Sequence, residues 1–117
     1  MPAAHPQLLL TMDPQTITLL YSPFPSMETA RAASRGLIEA KLAACCNLLP
    51  GGESHYRWEG TYTIASEVIL LAKTTAGQRD QAIDLLRRHH PYECPAILSF
   101  EASSTPAFAA WVASVTH

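Results

Sequence analysis

The stretch from Leu42 to Thr75, which we call the ribbon, constrains the fold more than any other part of the chain. It contains two long runs of residues that favour strands, separated at Glu59-Gly60, with Tyr56, Trp58 and Tyr62 close to that turn. A run of about twelve residues at roughly 3.3 Å each is near 40 Å long, which is more than one small domain normally covers. We therefore expect part of the ribbon to pack against something outside its own chain.

The length of 117 residues suits one domain with a substantial core. Residues 1–15 carry three prolines and show no clear hydrophobic period, so they are predicted to form a flexible N-terminal arm. Residues 16–117 are predicted to form a single domain.

Charge, hydrophobicity and cysteine content limit the partners and the location of the protein. The net charge is −2 and the lysines and arginines are scattered, which argues against nucleic acid or an anionic membrane surface as a partner. No segment approaches the roughly eighteen apolar residues of a membrane span. Three cysteines without a C-x-x-C pair favour a reducing compartment, so we expect a cytoplasmic protein.

Hydrophobic periodicity and proline or glycine signals divide the chain into four strands and three helices. In order they are a strand at 16–22, a helix from its N-cap Ser26 to about Leu42, the two arms of the ribbon, a helix at 78–89, a strand at 96–101, and a helix that begins at Thr105-Pro106. A bulge is expected where Pro50-Gly51-Gly52 interrupts the first arm. The predicted class is α+β: a ferredoxin-like βαββαβ sandwich with an extra C-terminal helix.

The densest polar cluster of the sequence follows the second helix and contains His89, His90, Glu93 and Cys94. Free carbonyls at a helix C-terminus favour a cation there, and imidazole, carboxylate and thiolate groups all bind copper or zinc. Adjacent helical residues point about 100° apart, so His89 and His90 can hold one ion only if the helix has already unwound. Capping, hydrogen bonding or plain exposure of the two histidines is the alternative.

A second group of candidates lies on the ribbon. Tyr56 and Trp58 are typical of an interface or a core, or they line a ligand site. Lys73 has apolar neighbours, so it needs an anionic partner or a route to solvent. Cys45 is expected to pack as a small apolar residue. No nucleophile motif or glycine-rich phosphate loop is present, and we do not expect an enzyme.

Four motifs in order resemble those of the CutA family, the divalent-cation tolerance proteins. They are L-A-A-C-C-N-L-L-P-G, S-H-Y-R-W-E-G, E-V-I-L-L-A-K-T and H-P-Y-E-C-P, and the resemblance extends from about Ile17 to Trp111. It implies a ferredoxin-like subunit in a tight homotrimer, built through edge strands and the ribbon and similar in architecture to the PII signalling proteins. It also implies an inter-subunit cleft whose candidate residues here are Cys45, Tyr56, Trp58, Lys73, His90, Tyr92 and Glu93.

Two positions depart from the family pattern. Some members carry a copper-linked cysteine at the end of the first strand, where this chain has Ser22, and the final acid of the H-P-Y-E-x-P-E pattern is Ala96. A metal site must therefore rely on His89, His90, Glu93 and Cys94.

Three functions remain open from the sequence. The first is a homotrimer that binds Cu(II) or another divalent cation, with copper preferred and with no metal required for folding. The second is a PII-like module that binds an anionic metabolite in the inter-subunit cleft through Lys73, with Trp58 and Tyr56 stacked on it. The third is a trimeric scaffold for an unidentified protein partner.

Overall fold

A computed structural model describes residues 15–117 and contains four strands and three helices. In chain order they are β1 (Gln15–Phe24), α1 (Met27–Glu39), β2 (Cys45–Trp58), β3 (Thr61–Thr74), α2 (Arg79–His89), β4 (Leu98–Ser104) and α3 (Pro106–Ser114). The predicted order of elements is confirmed. Gln15, which we had assigned to the N-terminal arm, is the first residue of β1, and residues 1–14 of that arm lie outside the described residues.

The four strands form one antiparallel sheet in the order β2-β3-β1-β4. One face of this sheet is covered by α1 and α2, and a continuous core lies between them. Its fully buried members include Leu20 and Phe24 of β1, Leu37 of α1, Leu70 of β3 and Leu86 of α2. This arrangement is the ferredoxin-like α+β sandwich that the sequence predicted.

The ribbon forms a single long hairpin of β2 and β3, paired from Cys45 opposite Lys73 to Trp58 opposite Thr61. Its turn is Glu59-Gly60, and both residues have positive φ, 50° and 80°, as a two-residue type I′ hairpin turn requires. A register shift between Leu49 and Gly52 confirms the predicted bulge. The hairpin gives the described chain its length of 54 Å against 25 and 22 Å in the other directions.

The second face of the sheet is covered only in part. Helix α3 packs there on Ile17 through Ala109 and Val112. Beyond α3, strand alternation places on the same face three side chains that stay about half exposed, Leu49 at 47%, Leu98 at 56% and Phe100 at 48%. We call this region the open sheet face.

Two boundaries differ from the prediction. Helix α1 begins at the expected cap, where the Ser26 Oγ accepts from the Thr29 N–H, but it ends at Glu39 rather than near Leu42. Strand β4 begins at Leu98 rather than at residue 96. The carbonyl of Ala96 accepts a hydrogen bond from the buried Ser22 hydroxyl of β1, so residue 96 belongs to the loop that follows α2.

Candidate functional site

The outer half of the ribbon and the loop after α2 enclose a pocket of about 560 Å³. We call it the ribbon pocket. Contributions come from β1, β2, β3 and the loop, and the lining residues are Pro23, Ser54, Tyr56, Trp58, Glu67, Pro91, Tyr92, Glu93, Cys94 and Ala96. Five of these ten belong to the segment from Pro91 to Ala96, so the loop forms one complete wall of the pocket.

Strand alternation beyond the bulge builds the opposite wall. Ser54, Tyr56 and Trp58 lie two positions apart in β2, so their side chains leave the strand on the same face. Gly52 lies opposite Glu67, and a Cβ atom at this position would be only 2.9 Å from the Glu67 carbonyl oxygen. The glycine therefore allows β2 to approach β3 closely just where Glu67 enters the pocket.

His90 fixes the loop to β1. Its Nδ1 accepts from the Tyr92 N–H at 3.2 Å, so its Nε2 carries the hydrogen and donates to the Pro23 carbonyl at 2.7 Å. The ring stacks on Phe24 with centroids 4.2 Å apart, and only 7% of the residue is exposed. Burial lowers the pKa of His90 below 6.5, although the Pro23 hydrogen bond and the Glu67 charge oppose the shift. His90 is thus a neutral imidazole with both nitrogens occupied.

Glu67 is the buried acid of the pocket, with 6% of the residue exposed. Its Oε2 accepts from the Tyr92 hydroxyl at 3.0 Å. Burial, and then this hydrogen bond and the Glu67 charge, raise the pKa of Tyr92 to about 12. Glu67 is not among the site residues predicted from the sequence, although an acid directly before the apolar run V-I-L-L-A of a strand indicates a buried charge that needs a partner.

The four predicted metal ligands do not converge. His89 is exposed on α2, His90 is buried with both nitrogens bonded, and Glu93 and Cys94 line the ribbon pocket. Among residues 15–117 no group of three or more histidine, cysteine, aspartate or glutamate side chains is placed to hold a metal ion. One described chain therefore offers Glu93 and Cys94 as neighbouring donors, but not a complete coordination sphere.

The predicted cleft residues separate into two groups within one chain. Tyr56, Trp58 and Tyr92 all line the ribbon pocket. Cys45 and Lys73 lie opposite each other in the β2–β3 ladder at the other end of the ribbon. Tyr56 is opposite Thr63, ten residues before Lys73 in β3, which corresponds to roughly 33 Å along the strand.

The base of the ribbon has its own contacts. There the Lys73 ammonium donates to the Asn47 side-chain oxygen. The nearby Cys45 is half-buried, and this burial raises the pKa of its thiol against the opposing charge of Lys73.

The two positions that depart from the family pattern contact each other. Ser22 is fully buried, and its hydroxyl donates to the Ala96 carbonyl at 2.7 Å. Ala96 also lines the ribbon pocket, where its methyl group stands in place of the acid of the family pattern. The carboxylates that remain in the pocket are those of Glu67 and Glu93.

A model of the CutA1 divalent ion tolerance proteins matches residues 18–115. The chain belongs to the CutA1 family. It is 39% identical over 85 residues, 73% of each chain, to the divalent-cation tolerance protein CutA of Salmonella newport (strain SL254). The crystal structure of CutA from Xylella fastidiosa superposes with a TM-score of 0.84 at 34% identity, covering 86% of this chain and 98% of that one. These matches confirm both the resemblance and the fold.

The names of these CutA1 relatives describe tolerance of divalent cations rather than a catalysed reaction. The periplasmic divalent cation tolerance protein CutA of Archaeoglobus fulgidus also superposes, with a TM-score of 0.83 at 28% identity over 86% of this chain and 99% of that one. Its description as periplasmic leaves our cytoplasmic assignment a prediction. None of the helices in residues 15–117 is long and apolar enough to cross a membrane.

Proposed function

We propose that this CutA1-family chain is a divalent-cation-binding tolerance protein, without enzymatic activity, that acts as a homotrimer and prefers copper. The observation that carries this proposal is the charge of the ribbon pocket. Its ionisable lining groups are the carboxylates of Glu67 and Glu93, the Cys94 thiol and two tyrosines, and none of the described lining residues is a lysine or arginine. Such a pocket attracts cations and repels anions.

Copper preference follows from the donor types. Glu93 and Cys94 are consecutive and both line the pocket, and His89 is exposed at the end of α2 just before them. Thiolate and imidazole ligands bind Cu and Zn in preference to Mg. Copper also binds most tightly in the usual affinity order of divalent metals. Because one chain supplies few donors, we propose that the remaining ligands come from water or from a neighbouring copy.

Metal titration tests this donor set. We expect purified protein to bind Cu(II) more tightly than Zn(II), and Glu93→Gln with Cys94→Ser to weaken both roughly tenfold or more. A separate His89→Ala variant tests the imidazole. Cys45→Ser is the matched control, because it removes a cysteine at the far end of the ribbon. Unchanged binding in the double variant, or an equal loss of binding in the double variant and in Cys45→Ser, would contradict the assignment.

The open sheet face supports the homotrimer. Leu49 on one edge strand and Leu98 and Phe100 on the other are half-exposed apolar side chains on a sheet face that α3 covers only in part, and such faces are usually buried against other chains. The long hairpin with its exposed Trp58 adds a second apolar contact surface. Three copies are what the resemblance to the family implies.

Light scattering of two matched variants tests the assembly. Phe100→Ser on the open sheet face should shift the mass from three chains toward one, whereas Ile38→Ser on α1, which is 44% exposed, should leave the trimer intact. We expect Trp58→Ala to weaken the trimer without unfolding the core. A Phe100→Ser protein that stays trimeric at micromolar concentration would count against this interface.

The geometry favours neither the anionic metabolite nor the scaffold. Lys73, the proposed anion ligand, is remote from Trp58 and Tyr56 within one chain and is bonded to Asn47. For location, we keep the cytoplasm as the proposal because Cys45, Cys46 and Cys94 are all free thiols. Cell fractionation with a disulfide-trapping reagent tests that assignment.

A further inference from the structure

The ribbon pocket combines two features that a metal site does not need. Three aromatic rings, Tyr56, Trp58 and Tyr92, line it while remaining 41%, 60% and 38% exposed. Beneath them lies Glu67, which is 94% buried by the same measure and whose one described side-chain partner is the neutral Tyr92 hydroxyl. No ion pair among residues 15–117 includes Glu67.

We propose that the ribbon pocket binds a small organic ammonium ion, with Tyr56, Trp58 and Tyr92 around the cation and the Glu67 carboxylate beneath it. Aromatic faces attract cations through their negative quadrupole, and tryptophan does so most strongly. Cages of this kind recognise quaternary and methylated ammonium groups. The ammonium site shares the ribbon pocket with the proposed metal donors, but it uses the aromatic wall and Glu67 rather than Glu93 and Cys94.

Other ligand classes fit the same surfaces less well. An anion would approach Glu67 and Glu93 with no described lysine or arginine to offset the repulsion. A neutral apolar molecule would cover the buried carboxylate and leave its charge without compensation, which is costly. A bare divalent metal needs several oxygen, nitrogen or sulfur donors at one point, whereas five of the ten lining residues are aromatic or proline, so a metal suits the Glu93 and Cys94 side of the pocket better than the aromatic wall.

The size of the pocket suits a ligand of this class. Its volume of about 560 Å³ lies within the usual range for small-molecule sites. It is wider than a single quaternary ammonium group, so choline or a longer amine can enter without displacing the loop. The Tyr92 ring is held in place by the Glu67 hydrogen bond and by its contact with His90, with centroids 4.9 Å apart, so this part of the cage is preformed.

The decisive probe pair is choline and 3,3-dimethyl-1-butanol, which have the same shape and differ in the positive charge. Titration calorimetry is run on the native assembly with a chelator present, which removes any contribution from bound metal. We expect choline to bind with a dissociation constant on the order of 1 mM or tighter, and the neutral isostere to bind at least tenfold more weakly. Equal binding of the two probes, or no choline binding, overturns the proposal.

Three variants locate the site. Trp58→Ala and Glu67→Gln should each weaken choline roughly tenfold, and the glutamine oxygen can still accept from Tyr92, which keeps the floor in shape. Tyr62→Ala is the matched control, because Tyr62 is 66% exposed on the same hairpin but does not line the pocket. Equal losses in Trp58→Ala and Tyr62→Ala overturn the assignment. If Glu67→Gln fails to fold by circular dichroism, Tyr56→Ala replaces it.

A further arm separates a free ammonium compound from a modified protein side chain. A short peptide containing trimethyl-lysine presents the same group on a macromolecule. Similar affinities of choline and peptide indicate a free small molecule, and a peptide at least a hundredfold tighter indicates a protein partner. Because Trp58→Ala is also expected to weaken the trimer, Tyr56→Ala is titrated beside it with light scattering: loss of choline binding in a trimeric Tyr56→Ala protein supports the ligand site, and wild-type affinity in Tyr56→Ala overturns it.

Discussion

Acidification should destabilise this protein through His90. The imidazole is neutral in the folded state, because it accepts at Nδ1 and donates at Nε2, and because it is buried against Phe24. Protonation would place a hydrogen on Nδ1 directly opposite the Tyr92 N–H. The pKa of His90 is therefore lower in the folded chain than the 6.5 of a free histidine.

The sign and size of the effect follow from this difference. Above pH 6.5 both folded and unfolded chains carry a neutral His90, so its protonation contributes no penalty. Below pH 6.5 the unfolded chain binds the proton first, and the free energy of unfolding falls as the pH drops toward the folded pKa. For a histidine that stays neutral in the folded state, the loss is at most on the order of 1–2 kcal/mol between pH 5.5 and pH 5.0.

Urea unfolding at pH 8.0 and pH 5.5, at one protein concentration, measures the effect. Other groups titrate in this range, so the informative quantity is the difference between wild type and His90→Gln, whose amide does not titrate. We expect the advantage of wild type over the variant to shrink by about 1 kcal/mol between the two pH values. His89→Gln, at an exposed position, should keep the wild-type loss on acidification. A constant or growing advantage of wild type at pH 5.5 would refute the reasoning.

Further predictions concern the ribbon, the core and the pocket. Gly60→Ala should cost about 1 kcal/mol, because φ is +80° there, while Gly77→Ala, where φ is not positive, should be neutral; thermal unfolding of both variants is the check. Thr74→Val should cost about 1–3 kcal/mol in urea unfolding, because it removes the 2.7 Å hydrogen bond that the Leu42 carbonyl accepts inside the core. Tyr92→Phe should abolish the most alkaline tyrosine titration in ultraviolet absorbance, near pH 12; a titration that is unchanged would show that another tyrosine is responsible.

The Tyr92 shift also has a consequence for stability. The pKa of Tyr92 is raised in the folded chain above the usual 10. The stabilisation of the folded chain by protonated Tyr92 is therefore fully present below pH 10. It is lost as the pH rises from 10 toward about 12, because the unfolded chain releases the proton first. In urea unfolding at rising pH, wild type should lose more stability than Tyr92→Phe across this window, and parallel curves for the two proteins would contradict the shift.

Sequence periodicity was sufficient for the architecture because the signals are local. Ser26 is a helix N-cap that binds the backbone N–H of Thr29, only three residues further along the chain. Gly60 marks a turn between two runs of strand-forming residues. The bulge at Pro50-Gly51-Gly52 was equally accessible, since proline cannot continue a regular ladder. Each of these predictions needs only a few neighbouring residues, and the structure confirms each of them.

The site was less predictable because its contacts join distant parts of the chain. Glu67 and Tyr92 are 25 residues apart, and Ser22 and Ala96, whose bond ends the loop before β4, are 74 apart. No periodicity links such pairs, so the buried acid was missed and β4 was placed too early. The separation of Lys73 from Tyr56, in contrast, was predictable: the rise per residue that makes the ribbon near 40 Å long also puts these two side chains at opposite ends.

The two departures from the family pattern bear on which cation the pocket takes. Where some family members have a cysteine and where the family pattern ends in an acid, this chain has a serine and an alanine that contact each other, and the serine hydroxyl donates to the carbonyl of the alanine. The exchange removes a thiolate from the core side and a carboxylate from the pocket, both of which are metal donors. It leaves the aromatic wall and Glu67 in place. Restoring the acid with Ala96→Glu should therefore strengthen Zn(II) binding and, by placing a second acid beside Glu93, change choline binding less. A variant in which choline binding rises more than Zn(II) binding would show that carboxylate charge, rather than metal coordination, sets the preference of the pocket.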